Sequence, residues 1–291
     1  MSIWSVIFWA VAVCGFAVLA GGFLGPLHPA GESLAVLRGP VTLIGALWIA
    51  LGWLTGVASP LWLVPVALIS LPVLMAYTRY ETVSPPPETV TVYQKNMSYR
   101  IADTSALEAD IREVAPDVLT LQELMPEVRG MLDNLSDILP HARVCEPTRV
   151  GSVALATRWP PVEGSEICRE GLAALQVETP EGRTWVVSLH LEWPWPFGQA
   201  AHVRHRLKVL DRLDGPVVLG GDLNMVPWSH TMRRIASSIG AERAGKVRPS
   251  FPLNPVLVLP IDHVLIPAGN RGATTLRPLL GSDHRGLVAR Y

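Results

Sequence analysis

The first 77 residues carry almost no charge, and that constrains the chain more than any other feature. Between positions 3 and 77 the only formally charged side chains are Glu32 and Arg38. Residues 3–24 form an uncharged apolar run of 22 residues. A helix rises about 1.5 Å per residue, so about 20 residues cross a hydrocarbon core about 30 Å thick. Residues 41–58 and 61–77 are further candidate spans. Gly56 to Pro60 reads as the turn between them, and Pro65 and Pro72 are tolerable inside a membrane helix. Trp4, Trp9, Trp48, Trp53 and Trp62 include several near span ends, where indole rings favour the interface. The run lacks the basic start and small-residue cleavage site of a secretory signal. Three spans are expected within residues 1–80, with two as the alternative because the third is short.

Two signals bear on orientation, and they oppose each other. With three spans, the loop holding Arg38 and the segment holding Arg79 share a side, which the positive-inside rule makes cytoplasmic. Cys145 and Cys168 flank a predicted strand in the polar part of the chain. They are either a disulfide, which needs an oxidising compartment, or two buried thiols. The positive-inside signal rests on two residues only, so with the cysteine pair the catalytic region is expected on the extracytoplasmic face of a multi-pass membrane protein.

Residues 81–88, with Pro85, Pro86 and Pro87, read as a short stiff linker. From 89 to 291 charges return at ordinary density. Across the 291 residues, 24 basic side chains balance 25 acidic ones. That balance lacks the basic excess by which most proteins hold long nucleic acid. Strands are predicted at 90–93, 118–121, 152–156, 173–177, 185–189, 217–219, 264–266 and 287–289. Many are apolar on consecutive residues, as in sheets buried on both faces. Helical stripes lie at Leu107, Ile111 and Val114 (capped by Asp103 or Thr104), at Val128, Leu132, Leu135 and Leu139, and at Val203, Leu207 and Leu210. Helices mixed with buried strands give a layered α/β sandwich.

The predicted strands end, or begin, in polar groups. The first reaches Asn96; the second runs into Gln122 and Glu123; the run 185–189 ends in His190; the run 217–221 ends in Asp222 and Asn224. Asp262-His263 and Asp283-His284 precede the last two strands. A buried carboxylate needs a partner, and several at one rim can share a cation. Hard oxygen donors suit Mg²⁺ or Mn²⁺.

Each element alone is a common turn or cap. In this order, Asn96, Leu121-Gln122-Glu123, Ser188-Leu189-His190, Gly221-Asp222-Leu223-Asn224, Ile261-Asp262-His263 and Ser282-Asp283-His284 resemble the endonuclease/exonuclease/phosphatase superfamily, DNase I-like in fold. The resemblance covers 89–291 and implies a four-layer αββα sandwich with its site at one rim, behind two or three transmembrane helices. It implies a metal-dependent phosphoric ester hydrolase. Glu123 and Asn96 are the implied metal ligands, and Asp283 lies near the metal or phosphate. His284 is the implied general base oriented by Asp262. Asp222 and Asn224 orient the nucleophile and hold the phosphate, and His190 contacts phosphate or aids the leaving group. His263 is expected to be structural, because alternate residues of a strand face opposite sides.

The segment after His190 carries Trp193, Trp195 and Phe197. It is either a loop packed on the domain or an interfacial lip in which Trp193 and Trp195 meet substrate or bilayer. The basic run that follows, with His202, Arg204, His205, Arg206 and Lys208, is either a solvated face or a collector of anionic headgroups. Some membrane-tethered bacterial members of the family act on lipid-linked pyrophosphates, and this architecture is similar. The expected partners are the bilayer and a phosphorylated small-molecule or lipid substrate. A tethered nuclease and an inactive membrane-bound binding module are the alternatives.

Overall fold

The computed structural model describes residues 2–78, 89–146 and 148–291. Helices α1 (Ile3–Gly21), α2 (Ala30–Leu54) and α3 (Leu63–Thr78) form an N-terminal bundle, and each is long and apolar enough to cross a membrane, α3 together with the turn Pro60–Trp62 before it. Phe8, Ala12, Ile49 and Val66 fill its centre. Most large apolar side chains point outward instead, with Ile3, Leu43 and Leu47 among them. That is the reverse of a soluble bundle and suits a lipid surround.

The second span differs from the expected 41–58 by starting at Ala30, so Glu32 and Arg38 lie inside a helix. The Glu32 carboxylate accepts hydrogen bonds from Thr231 N. The Arg38 guanidinium instead makes a ring contact, 3.8 Å from the Phe23 centroid, with its Nε and one Nη buried and without a hydrogen-bond partner among the described residues. The expected linker at 81–88 lies outside the described residues.

The chain continues through β1 (Thr91–Asn96), α4 (Ser105–Val114), β2 (Val118–Leu124), α5 (Met131–Asn134), β3 (His141–Val144), β4 (Ser152–Thr157), β5 (Ile167–Arg169), β6 (Leu172–Thr179) and β7 (Gly182–His190). It then forms α6 (Gln199–Leu210), β8 (Val217–Asp222), α7 (His230–Ser238), β9 (Ala241–Arg243), β10 (Phe251–Pro252), β11 (Val258–Leu259), β12 (Asp262–Pro267), β13 (Ala273–Leu276) and β14 (Leu287–Arg290). Two six-stranded mixed sheets result, in the orders β13-β14-β1-β2-β4-β3 and β5-β6-β7-β8-β12-β9. Their parallel pairs, β1 with β2 and β7 with β8, are joined by crossovers through α4 and α6, as parallel pairing requires.

Alternate residues of each strand sort into layers. Val92, Val118, Leu155, Ala173, Val186, Val218 and Val264 meet between the sheets. Tyr93, Leu119 and Leu121 face outward under Leu107 and Ile111 of α4. Val187, Leu219 and Leu265 face outward under Val203 and Leu207 of α6 and Met232 and Ile235 of α7. Ala35 of α2 and Val73 of α3 belong to that last cluster. The N-terminal bundle therefore packs against the α6–α7 layer. Trp228 donates its indole N–H to Ala35 O at 2.8 Å, closing the contact.

The stripe at 128–139 is not one helix. A 3₁₀ turn at Pro126–Val128 and the four-residue α5 share it, separated at Gly130. The four stripe residues are nonetheless all buried. Cys145 and Cys168 are bonded, joining the edge beside β3 in one sheet to β5 in the other.

Candidate active site

Parallel strands that end at one rim, and antiparallel neighbours that begin there, bring the polar strand ends together. Asn96 closes β1, His190 closes β7 and Asp222 closes β8. Asp262 opens β12 directly opposite Asp222, and His190 also lies in register with Asp222. Glu123 sits in a bulge of β2, where the register with β4 shifts between Leu121 and Leu124. Its φ of +56° is unusual for a residue with a side chain. Gly151 makes room for this bulge: a Cβ there would lie 2.7 Å from the Glu123 carbonyl carbon. Gly221, just before Asp222, has no room for a side chain against Leu189 O.

One oxygen or nitrogen each from Glu123, His190 and Asp222 lies within 4.8 Å of the others, and the same holds for Asp222, Asp262 and His284. Asp222 belongs to both groups. His190 Nε2 is 3.8 Å from Glu123 Oε1 and 3.7 Å from Asp222 Oδ2. Asn96 donates Nδ2–H to Glu123 Oε1 at 3.1 Å and to Asp222 Oδ2 at 3.0 Å, while its Oδ1 accepts from Ser98 N. As oriented, Asn96 bridges the two carboxylates. Asn224 N–H donates to Asp222 Oδ1 at 2.9 Å, and Asn224 Nδ2 to Leu191 O at 2.8 Å. Asn224 Oδ1 is buried with no partner.

The His284–Asp262 pair is the most enclosed part of the site. Nδ1 lies 2.8 Å from Asp262 Oδ2, and Nε2 faces Asp222 Oδ2 at 3.8 Å. Burial alone pushes the imidazole down, but the carboxylates of Asp262 and Asp222 outweigh it and raise His284 to about 9. Burial also raises Asp222, to about 6, against the pull of His284. Asp262, though equally buried, is held below the ordinary carboxylate range by His284 and its hydrogen bonds. The carboxylates of Glu123 and Asp222, bridged by Asn96, converge on one point and form an oxygen donor set that fits a bound divalent cation.

Residues that the strand-end pattern did not single out complete the support. Gln94 donates to Asp262 Oδ1 at 3.1 Å and to Gln122 Oε1 at 2.7 Å, and Gln122 donates to Ser188 Oγ. This chain of amides runs between the sheets beneath the site. Lys95, on the opposite face of β1, donates Nζ–H to Leu279 O and His284 O and so pins the loop carrying His284. Burial pushes its ammonium down to about 8. Phe251 packs its ring 4.6 Å from that of His284. The signal for Gln94 and Lys95 was present, as polar residues inside a buried strand; Phe251 lies on a two-residue strand that carries no pattern.

These groups open into a cleft of about 590 Å³. Asp283 lines it but is exposed and stands outside both acid–histidine groups. Trp193 and Phe197 form part of the wall, and Trp193 meets Phe251. Trp195 lies elsewhere: its ring faces His28 of the α1–α2 hairpin, and its carbonyl accepts from Ser33 Oγ at 2.5 Å. His263 is buried on the far side of β12, held by burial near 4 and therefore neutral, with Nε2 2.7 Å from Met225 O.

No curated protein matches the sequence. Solved structures share the fold at low identity. SmcL is 14% identical with a TM-score of 0.53, covering 70% of this chain and 99% of that one. The endonuclease domain of TRAS1, a telomere-specific non-LTR retrotransposon, is 16% identical with a TM-score of 0.52, covering 70% and 98%. The human Nocturnin catalytic domain is 16% identical with a TM-score of 0.51, covering 72% and 98%. A family model described as endonuclease/exonuclease/phosphatase matches residues 96–284. That match begins at the asparagine and ends at the histidine that bound the clustered rim, and the chain belongs to the endonuclease/exonuclease/phosphatase family.

Proposed function

We propose that the protein is a membrane-tethered, Mg²⁺- or Mn²⁺-dependent phosphoesterase acting on a phosphate ester or pyrophosphate carried by the bilayer, such as a lipid-linked pyrophosphate. The observation that carries this reading is the double attachment of the loop after β7. Trp193 and Phe197 wall the catalytic cleft, while Trp195 between them contacts the α1–α2 hairpin. The cleft mouth is thereby held beside the end of the membrane bundle, where a substrate confined to the same membrane is concentrated. The balanced net charge supplies no broad surface for a polynucleotide. The disulfide supports an extracytoplasmic catalytic region.

Glu123, with Asp222 within reach, would hold the cation, Asn96 would join only with its amide turned over, and His190 is left to face the phosphate. When bound, the cation supplies charge neutralisation at the phosphoryl oxygens. The remaining work falls to the chain's own groups. His284 acts from its neutral form, which a bound cation would favour by offsetting the neighbouring carboxylates. Its Nε2 takes the proton of the attacking water as the bond from phosphorus to the leaving oxygen breaks, and Asp262 fixes the ring and stabilises the imidazolium that results. Asp222 orients that water from between the two histidines. Asn224 and His190 hold the phosphoryl oxygens.

Hydrolysis by the full chain in vesicles, read as phosphate release from lipid pyrophosphate and nucleotides and as nicking of plasmid DNA, should be fastest on lipid pyrophosphate. Trp193→Ala with Phe197→Ala should slow the vesicle-borne reaction more than hydrolysis of a soluble ester. Equal losses on both, or preference for DNA, would overturn the bilayer assignment.

A further inference from the structure

A second cavity, of about 200 Å³, lies between the membrane bundle and the catalytic region, apart from the cleft. Its floor is the α1–α2 hairpin with His28, and its walls are Trp195, α6 and the start of α7. Arg204 of α6 and Arg234 of α7 line it together. Neither guanidinium has an ion pair or hydrogen bond with any of the described residues. His230 also faces the cavity. The one acid there, Glu32, is committed to Thr231 N at 3.3 and 3.4 Å. Two guanidiniums against the one carboxylate of Glu32 leave the cavity lining a net positive charge. It sits where α1 ends and α2 begins, beside Leu24 and Leu27, whose side chains are exposed. Cationic guanidinium forks above an apolar rim match a molecule with a phosphate head and acyl chains.

We propose that this cavity is a non-catalytic site for the phosphate headgroup of an anionic phospholipid, its acyl chains lying along Leu24 and Leu27 of the hairpin. The basic run on α6 divides accordingly. Arg206 is buried near Glu170 and His202 bonds the Glu170 carbonyl, whereas Arg204 lines the cavity. The site is independent of what the catalytic cleft hydrolyses.

The test is a thermal-shift titration of the full chain in neutral detergent with EDTA, so that no turnover occurs. The probes are short-chain phosphatidylglycerol, short-chain phosphatidylcholine and inorganic phosphate. Phosphatidylglycerol should raise the melting temperature of the wild type at the lowest concentration. Arg204→Ala with Arg234→Ala should weaken that response roughly tenfold or more. Lys208→Ala with Arg212→Ala removes the same charge outside the cavity and should retain the response. Arg204→Gln with Arg234→Gln is the second pair if the alanine variants melt early without lipid. An unchanged response in the cavity variants, an equal response to phosphatidylcholine, or the full response from inorganic phosphate alone would overturn the proposal.

Discussion

At the scale of single residues, the site is a balance between two carboxylates and one imidazole. Asp262 and Asp222 both approach His284, and their combined pull defeats the effect of burial. The sign follows directly. Negative neighbours favour imidazolium, so the metal-free protein should titrate His284 near 9 in an NMR experiment run in EDTA. Asp262→Asn removes one of those charges and should bring the value down toward the ordinary histidine range. A His284 that titrates normally in the wild type would separate the ring from the carboxylates. Most of these residues were legible in sequence, because a carboxylate or histidine that closes an apolar run marks the point where a buried strand reaches the rim of its sheet. Trp195 was legible only as an aromatic; its turn away from the cleft depends on His28 and Ser33, more than 150 positions earlier.

At the scale of elements, the bulge in β2 aims the site. Glu123 is presented by a backbone with positive φ, and Gly151 lies against that backbone with a φ of +97° of its own. Gly151→Ala would add a Cβ that collides with the Glu123 main chain and would strain its own turn. The variant should bind Mn²⁺ at least roughly tenfold more weakly by calorimetry while keeping its circular dichroism; unchanged affinity would mean the bulge is not what positions Glu123. The eight central strands stand out in the sequence because both their faces are buried, which forces unbroken apolar runs. The edge strands β3, β5, β9, β10, β11 and β13 are short and half solvated, and leave no periodic trace. Helix α7 escaped for a different reason. Its sequence is largely polar, and it is fixed by the Ser229 cap and by Glu32 from the N-terminal bundle.

At the scale of the whole molecule, two kinds of attachment hold the layers in place. The Cys145–Cys168 bond joins the edges of the two sheets across 23 positions of chain. Replacing both cysteines with serine should cost about 2–4 kcal/mol and lower the melting temperature without removing the site. An unchanged melting temperature would show that the bond contributes nothing to the folded state. The second attachment is the packing of α2 and α3 on the α6–α7 layer, through Ala35, Val73 and Trp228. The apolar spans were plain from composition. Their docking was not, since a transmembrane stripe and a docking stripe are both apolar. The catalytic rim remains the centre of the account, and phosphate release by the full chain in vesicles, with and without EDTA and for His284→Ala, tests it most directly. Chelation should abolish turnover, and His284→Ala should lower kcat by roughly two to four orders of magnitude with the fold retained. Wild-type rates in EDTA, or in the His284→Ala variant, would contradict it.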